Sequence, residues 1–158
     1  MKRGISLQYL KRSRAPMPRV LIADDNPQNA EVLEAHLDGS TYETRIAVNG
    51  EETLTIAQDW QPDVILLDVM MPKLSGFEVC KRLRSAPETR TIGVLMVTAL
   101  DQKTDIERAV EAGTDDFLTK PINRTELLLR LNAIVDARSE PNDTERGLAY
   151  FRRVLQGV

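Results

Sequence analysis

Asp63-Val64-Ile65-Leu66-Leu67 is the most strand-like stretch of this sequence, and the acidic residue Asp68 follows it directly. Its apolar residues are consecutive and do not alternate with polar ones. A run of this kind predicts a strand covered on both faces, which is the usual situation in a parallel sheet. Four other short segments have the character of strands: Arg19 to Ala23, Thr44 to Val48, Ile92 to Thr98 and Asp115 to Thr119.

Amphipathic segments with helix start and stop signals separate these strands. Asn26-Pro27 is a cap followed by a proline at the first helical position, Gly39 and Gly113 are stop signals, and Asn123 with Glu126 forms a capping box. The predicted helices cover about 27–38, 50–59, 75–84, 102–112 and 124–138. Five strand–helix units with right-handed crossovers predict an α/β fold. Its core is a doubly wound five-stranded parallel sheet, flavodoxin-like, with strand order 2-1-3-4-5.

The sequence divides into three parts. Residues 1–18 form a basic leader that we expect to be disordered, and residues 19–138 form the α/β domain. Residues 139–158 hold a linker and an extra C-terminal amphipathic helix from Thr144 to Gln156, with Leu148, Phe151 and Leu155 along one face. Met17 is a candidate translation start, because the sequence after it runs directly into the first strand.

Composition narrows the class of protein. The sequence has no run of about twenty apolar residues, and its first residues do not have the apolar centre and cleavage site of a secretory signal. The single cysteine, Cys80, cannot form an intrachain disulfide, which fits a reducing compartment. We therefore expect a cytoplasmic protein.

Charge is distributed unevenly along the chain. Six of the 21 basic residues and none of the 24 acidic residues lie within residues 1–19, so the rest of the chain is strongly acidic. An acidic domain is a poor nucleic-acid binder, because contacts to phosphates dominate that affinity. We therefore expect no direct DNA binding by the domain. The basic leader could contact nucleic acid or an anionic membrane surface, although such leaders are more often simply disordered tails.

Polar residues follow four different strands at the same end. Asp24 and Asp25 end the first strand, Asp68 the third, Thr98 the fourth and Lys120 the fifth. In the predicted strand order these residues surround one crevice. Three carboxylates in one place need a cation, and hard oxygen ligands suit Mg²⁺. A lysine and a threonine hydroxyl can contact phosphoryl oxygens, and a carboxylate can act as the nucleophile that forms an aspartyl phosphate.

Each of these residues also has a simpler interpretation. Asp24-Asp25 before a helix could serve only as cap and dipole partners, and Asp68 could merely begin a loop. Thr98 could be an ordinary strand residue, and Lys120-Pro121 could be only a strand exit. The joint occurrence on four strands, always at the same end, favours the functional interpretation.

These motifs resemble those of the response-regulator receiver domains of two-component signal transduction. The resemblance covers about Arg19 to Ala137. It rests on Ala23-Asp24-Asp25-Asn26, on Ile65-Leu66-Leu67-Asp68-Val69-Met70-Met71-Pro72 with Gly76 after it, on Val97-Thr98-Ala99, and on Phe117-Leu118-Thr119-Lys120-Pro121. The style of the sequence is similar to receivers of cyclic-di-nucleotide cyclase regulators and of hybrid kinases, and that similarity is family analogy alone.

The resemblance implies a role for each site residue. Asp68 would be the phosphorylation site, and Thr98 and Lys120 would complete the catalytic set. Asp24, Asp25, Asp68 and the backbone carbonyl of Met70 would bind Mg²⁺.

It also implies how the site would be coupled to the rest of the domain. Thr98 and Phe117 would form the switch, and the Lys120-Pro121 bond would be cis. The resemblance places Met70 and Leu100 at the approach of the water that hydrolyses the aspartyl phosphate.

The resemblance further implies the partners. A histidine kinase or a phosphotransfer protein would supply the phosphoryl group, and a downstream protein or an output domain would receive the signal. A phosphorylation-dependent homodimer is a further expectation. The domain would not be an enzyme in the usual sense, but would catalyse its own phosphorylation and dephosphorylation. Phosphorylation would change the face formed by helix 4, strand 5 and helix 5.

Two rival interpretations fit the sequence less well. Phosphatases of the haloacid dehalogenase type also use a strand-end aspartate, but they have a second Asp two positions later, where this chain has Met70. Their nucleophile also follows the first strand and not the third. A degenerate receiver that serves only as a scaffold would normally have lost Asp68 or Lys120, and both are present.

Overall fold

The computed structural model describes residues 17–157. Most of the predicted leader therefore lies outside the described residues. Strands and helices alternate from the start of the described chain. The five strands are β1 (Arg19–Ala23), β2 (Glu43–Ala47), β3 (Val64–Leu67), β4 (Gly93–Thr98) and β5 (Asp116–Thr119). The helices are α1 (Pro27–Leu37), α2 (Gly50–Trp60), α3 (Gly76–Ser85), α4 (Lys103–Ala112), α5 (Arg124–Ala137) and α6 (Asp143–Gln156).

The strands form one parallel sheet in the order β2-β1-β3-β4-β5, which confirms the predicted fold class. β3 lies between β1 and β4, with Leu67 beside Ala23 on one side and beside Met96 on the other. This register matters for function, because it brings the carboxyl ends of β1 and β3 to the same level, while β4 continues along the same direction to Thr98.

The sheet is covered by helices on both faces, which explains the continuous apolar run of β3. Ile65 and Leu67 belong to the core beneath α2, α3 and α4, whereas Val64 and Leu66 belong to the core beneath α1 and α5. All four side chains are fully buried. Because successive side chains of a strand point to opposite faces, a strand buried on both sides has no position for a polar residue.

Side-chain caps begin most of the helices at the residues that the sequence indicated. The Asn26 side chain accepts hydrogen bonds from the amides of Gln28 and Asn29, and Asn123 accepts one from Glu126. Such caps fix where each helix begins and hence how long the preceding loop is. The loops after β1 and β5 are therefore short, at residues 24–26 and 120–123, whereas the loop after β3 covers residues 68–75.

The extra helix α6 packs against α5, but its apolar face is exposed. Leu148, Phe151 and Leu155 are 56%, 61% and 71% exposed, and no residue of α6 is fully buried. The contacts to the domain come from the other side of the helix, where Tyr150 and Val154 are half-buried. The amphipathic pattern of α6 therefore does not mark the surface by which it docks.

Among residues 17–157, no helix combines the length and the apolar character required to cross a bilayer.

Candidate functional site

The predicted site residues meet at the carboxyl edge of the sheet. Asp24 and Asp25 follow β1 and Asp68 follows β3, while Thr98 is the last residue of β4 and Lys120 follows β5. The structure thus brings all five to the edge where the chain leaves each strand. This is the position at which doubly wound sheets hold their ligands.

Three carboxylates form a compact acidic group. One oxygen from each of Asp24, Asp25 and Asp68 lies within 4.8 Å of the other two. Asp24 and Asp68 are only 1% and 7% exposed, whereas Asp25 is exposed. Like charges at this spacing repel each other, and burial increases that cost because little water screens them.

Lys120 bridges the two buried carboxylates. Its Nζ donates to Asp24 Oδ2 at 2.9 Å and to Asp68 Oδ2 at 3.2 Å. The Lys120-Pro121 peptide bond is cis, and the lysine side chain is 20% exposed. The lysine thus neutralises part of the acidic charge, and one donor of its ammonium is left for another oxygen.

The ionisation of this group follows from burial and charge. Burial raises the pKa of Asp24 above its ordinary value, and the nearby charge of Asp68 adds to that effect. Hydrogen bonds from the Asn26 amide and from Lys120 act in the opposite direction without cancelling the rise. For Lys120, burial alone would lower the pKa, but the hydrogen bond and charge of Asp24 and Asp68 outweigh it and raise the pKa. The lysine therefore stays protonated.

Backbone amides fix the orientation of the two buried carboxylates. Asn26 N donates to Asp24 Oδ1 at 2.9 Å, and Met70 N donates to Asp68 Oδ1 at 3.1 Å. In each aspartate the amide holds one oxygen and Lys120 holds the other. Within the described residues, no buried side-chain nitrogen or oxygen lacks a hydrogen-bond partner. The site is therefore ordered by its own hydrogen bonds.

A close approach of two backbone segments shapes the loop after β3. A Cβ on Gly76 would clash with the backbone carbonyl oxygen of Asp68 and with the Cα of Val69. The Gly76 amide also donates to the Val69 carbonyl at 2.9 Å. The start of α3 thus lies directly against the backbone of Asp68, which only glycine permits.

The predicted switch residues lie beside the acidic group. Thr98 is fully buried, and its hydroxyl oxygen accepts a weak hydrogen bond from the Leu100 amide at 3.4 Å. Phe117 on β5 is half-buried and packs against the core beneath α2, α3 and α4.

The donor set fits the metal that the sequence suggested. Carboxylate oxygens are hard ligands, and Mg²⁺ is usually held through one or two carboxylates while it keeps several waters. The exposure of Asp25 beside two buried aspartates gives such an ion a hydrated side. The residues present therefore fit Mg²⁺ better than a softer metal, which would require cysteine or histidine ligands.

Sequence reasoning missed a second polar cluster, which lies on β5. The Tyr150 hydroxyl of α6 and the Arg130 guanidinium of α5 both donate to the Asp116 carboxylate. Asp116 immediately precedes Phe117. Its two partners are 14 and 34 residues away in the chain, and no local pattern links residues at such separations.

Comparison with known proteins agrees with this geometry. The model of the response regulator receiver domain family matches residues 20–132. The response regulator PleD of Caulobacter vibrioides is 44% identical over 136 residues, which cover 86% of this chain and 30% of PleD.

Two solved structures are similar in fold and in sequence. One is a response regulator from Chloroflexus aurantiacus, with a TM-score of 0.72, 39% identity and coverage of 75% of this chain and 98% of that one. The other is the receiver domain of a sensor histidine kinase from Pseudomonas aeruginosa PAO1, with magnesium coordinated in its active-site cleft. Its TM-score is 0.70 at 29% identity, and the match covers 75% of this chain and 98% of that one.

The fold, the acidic pocket and these matches define the class: this chain belongs to the response regulator receiver domain family. It is a receiver domain of two-component signal transduction, as the sequence motifs indicated. The chain spans about half of the length of several curated relatives and less than a third of PleD. The activity of a whole regulator therefore does not follow from this domain alone.

Proposed function

We propose that Asp68 accepts a phosphoryl group from the phosphohistidine of a partner kinase or phosphotransfer protein. The observation that carries this proposal is the arrangement of a buried carboxylate between an acidic group and the ammonium of Lys120. The Met70 amide holds Oδ1 of Asp68, whereas Lys120 contacts Oδ2. One oxygen can therefore be anchored while the other reacts.

The transfer exchanges one bond to phosphorus for another. An oxygen of the Asp68 carboxylate attacks phosphorus, the phosphorus–oxygen bond forms, and the bond to the histidine nitrogen breaks. The imidazole leaves with the electron pair and is neutral once it holds one proton. The domain contributes mainly position and charge, since little covalent chemistry is required of other groups in phosphoryl transfer.

Lys120 and Thr98 receive the oxygens of the transferred group. The Lys120 ammonium provides a positive charge for one phosphoryl oxygen. The Thr98 hydroxyl has only a weak partner in the Leu100 amide, so it can turn to donate to another oxygen. Mg²⁺ would be held by Asp24, Asp25, Asp68 and the backbone carbonyl of Met70, and it would offset the negative charge that gathers at the site.

Phosphorylation then changes the surface formed by α4, β5 and α5. Rotation of Thr98 toward the phosphoryl group leaves space that the half-buried ring of Phe117 can enter. With phenylalanine no hydroxyl is available, so the ring position is set by packing alone. The domain also hydrolyses its own aspartyl phosphate. The changed surface acts on an output domain, on a downstream protein or on a second phosphorylated copy. The domain works in the cytoplasm, where it meets the partner kinase.

Acetyl phosphate with Mg²⁺ tests the assignment of Asp68. We expect a single phosphoryl adduct by intact-mass spectrometry in the wild type and none in Asp68→Asn. Asp59→Asn is the matched control, because Asp59 is an exposed residue of α2 outside the acidic group. Full labelling of the Asp68→Asn protein would falsify the assignment.

Metal binding is tested separately with Asp25→Ala. Because Asp25 is exposed and holds no hydrogen bond to Lys120, its removal should leave the fold intact and weaken Mg²⁺ binding. Loss of one charged ligand is expected to cost about tenfold or more in affinity. A Mg²⁺ titration followed by calorimetry that gives the wild-type affinity would exclude Asp25 as a ligand.

A further inference from the structure

A cavity of about 350 Å³ lies at the opposite edge of the sheet from the aspartates. It is lined by Gly93, the first residue of β4, and by Asp115, which precedes β5. The far wall is provided by α6, through Arg146, Gly147 and Tyr150. The cavity is distinct from the acidic site, which lies where the strands end. Its volume falls within the range of small-molecule binding sites.

Arginines dominate the charge of this cavity. Four guanidinium groups line it, from the end of α3, the loop before β4, the end of α5 and the start of α6, and they belong to Arg84, Arg90, Arg138 and Arg146. Only two carboxylates line it, Asp115 and Asp143. Four separate segments of the chain therefore direct positive charge to one place.

Three of the four arginines, all except Arg90, already have hydrogen-bond or ion-pair partners, but each keeps N–H groups that are not used. Arg84 binds the carbonyls of Gly113, Arg90 and Ile92 and pairs with Asp115 at 3.0 Å. Arg146 Nη1 donates to the Glu140 carbonyl at 3.1 Å, and its Nη2 pairs with Asp143. These contacts fix the two side chains in place.

Of the four arginines, Arg138 and Arg90 make the fewest hydrogen bonds and ion pairs within the described residues. Arg138 donates a hydrogen bond to the Asp63 carbonyl, and its Nε lies 3.8 Å from Oδ1 of the Asp63 carboxylate. Within residues 17–157, the exposed guanidinium of Arg90 makes no hydrogen bond and no ion pair. Burial lowers the pKa of Arg138, the charges of Asp63 and Asp115 oppose that effect, and the charges of Arg146 and Arg84 add to it. The guanidiniums are thus close enough to repel one another.

Gly147 is a second, independent sign of a cavity that is kept open. Glycine within a helix costs about 1 kcal/mol relative to alanine. No packing contact requires glycine here, because a Cβ at this position would meet no atom within 4 Å. The residue lines the cavity. A larger side chain at this position would reduce the open space in front of the arginines.

We propose that this cavity binds a small organic phosphate of about the size of a mononucleotide. The forked donors of Arg90 and Arg146 match the oxygens of a phosphate group. The ring of Tyr150, held through its hydroxyl to Asp116, and the apolar side chains of Ile92 and Ile134 suit the uncharged part of the ligand. This binding is independent of phosphorylation at Asp68.

Titration with adenosine monophosphate, followed by amide NMR, tests the proposal. EDTA is included so that Mg²⁺-dependent binding at the aspartates does not contribute. The amides of Gly93, Gly113 and Gly147 line the cavity and should shift with the ligand, whereas the amides of Ala23 and Leu67 near the aspartates should not. Shifts confined to the aspartate edge, or none up to millimolar ligand, would overturn the proposal.

Two variants and two other ligands identify the contacts. Arg90→Ala should weaken binding about tenfold, as the loss of a charged hydrogen-bonding partner implies. Arg82→Ala is the control, because Arg82 is an exposed arginine of α3 outside the cavity, and it should change the affinity by less than about twofold. Adenosine and inorganic phosphate should each bind more weakly than the nucleotide. Equal loss in both variants, or equal binding of adenosine, would exclude the arginine-bound phosphate.

Discussion

At the residue scale, Gly76 brings the start of α3 against the backbone of the loop after β3. A methyl group at this position would displace the carbonyl oxygen of Asp68 or shift the helix. Overpacking of this kind typically costs about 1–3 kcal/mol. Gly76→Ala should therefore lower the free energy of unfolding by about that amount and slow labelling by acetyl phosphate.

Gly147→Ala is the matched control for that substitution. It adds the same methyl group where no atom lies within 4 Å. Because alanine is the better helix former, this variant should be equal to the wild type in stability or about 1 kcal/mol more stable. Urea unfolding of both variants measures the difference. If Gly76→Ala unfolds at the wild-type midpoint, the loop is less tightly packed than the structure indicates.

We predict that Met70 and Leu100 slow the hydrolysis of the aspartyl phosphate. Met70 is 58% exposed and Leu100 is half-buried, and neither side chain can hydrogen-bond an attacking water. Because a poorly oriented water commonly costs about one or two orders of magnitude in rate, we expect slow hydrolysis of the aspartyl phosphate. Met70→Asn combined with Leu100→Glu should accelerate phosphate release. If the double variant releases phosphate no faster than the wild type, these two residues do not limit hydrolysis.

At the scale of elements, polar contacts contribute to the docking of α6. Tyr150→Phe removes the hydroxyl that donates to Asp116 but keeps the ring. Loss of one hydrogen bond is expected to cost about 1 kcal/mol. Amides of α6 should then exchange several-fold faster with deuterium, while those of α5 should not change.

Leu155→Ala is the control for Tyr150→Phe. Leu155 lies on the exposed face of the same helix, where 71% of the residue is accessible. Its truncation should not accelerate exchange in the contacts of α6 with α5. If Leu155→Ala accelerates exchange as much as Tyr150→Phe does, the apolar face and not the hydroxyl holds the helix in place.

The sequence predicted the elements well where local signals and burial agree. β1 has the predicted bounds, and β3 is buried on both faces as its apolar run indicated. β2 begins one residue earlier than predicted, because pairing with β1 places Glu43 beside Arg19 at the exposed edge of the sheet. The capped helices begin within a residue of their predicted starts, since Asn26 and Asn123 make the expected hydrogen bonds.

The site was largely predictable, and its surroundings were not. The carboxylates and Lys120 follow strands, and a parallel sheet brings the ends of its strands together whatever the details of packing. The partners of Asp116 and the lining of the arginine cavity depend on where α6 docks. The sequence placed Leu148 and Phe151 on one face of α6, and the structure leaves that face exposed. Contacts between distant segments decide that outcome.

At the scale of the whole molecule, the signal should travel from the acidic site to one face. Beryllofluoride with Mg²⁺ mimics the phosphorylated aspartate, and exchange should change most in α4, β5 and α5, which are linked to the site through Thr98 and Phe117. Hydrogen exchange with and without beryllofluoride is the measurement. Asp68→Asn treated in the same way is the control. Changes limited to α1 and α2 would contradict this route.

The polar attachment of α6 has a consequence for how the domain responds to its solution. A helix without a single fully buried residue gains less from the hydrophobic effect than the helices that pack buried side chains against the sheet. Its ion pair between Arg153 and Asp136, at 3.1 Å, is exposed and is screened as ionic strength rises. The last helix should therefore open as a separate unit, well below the free energy of global unfolding. The fraction of molecules with this helix detached should depend on salt, even while the sheet stays intact.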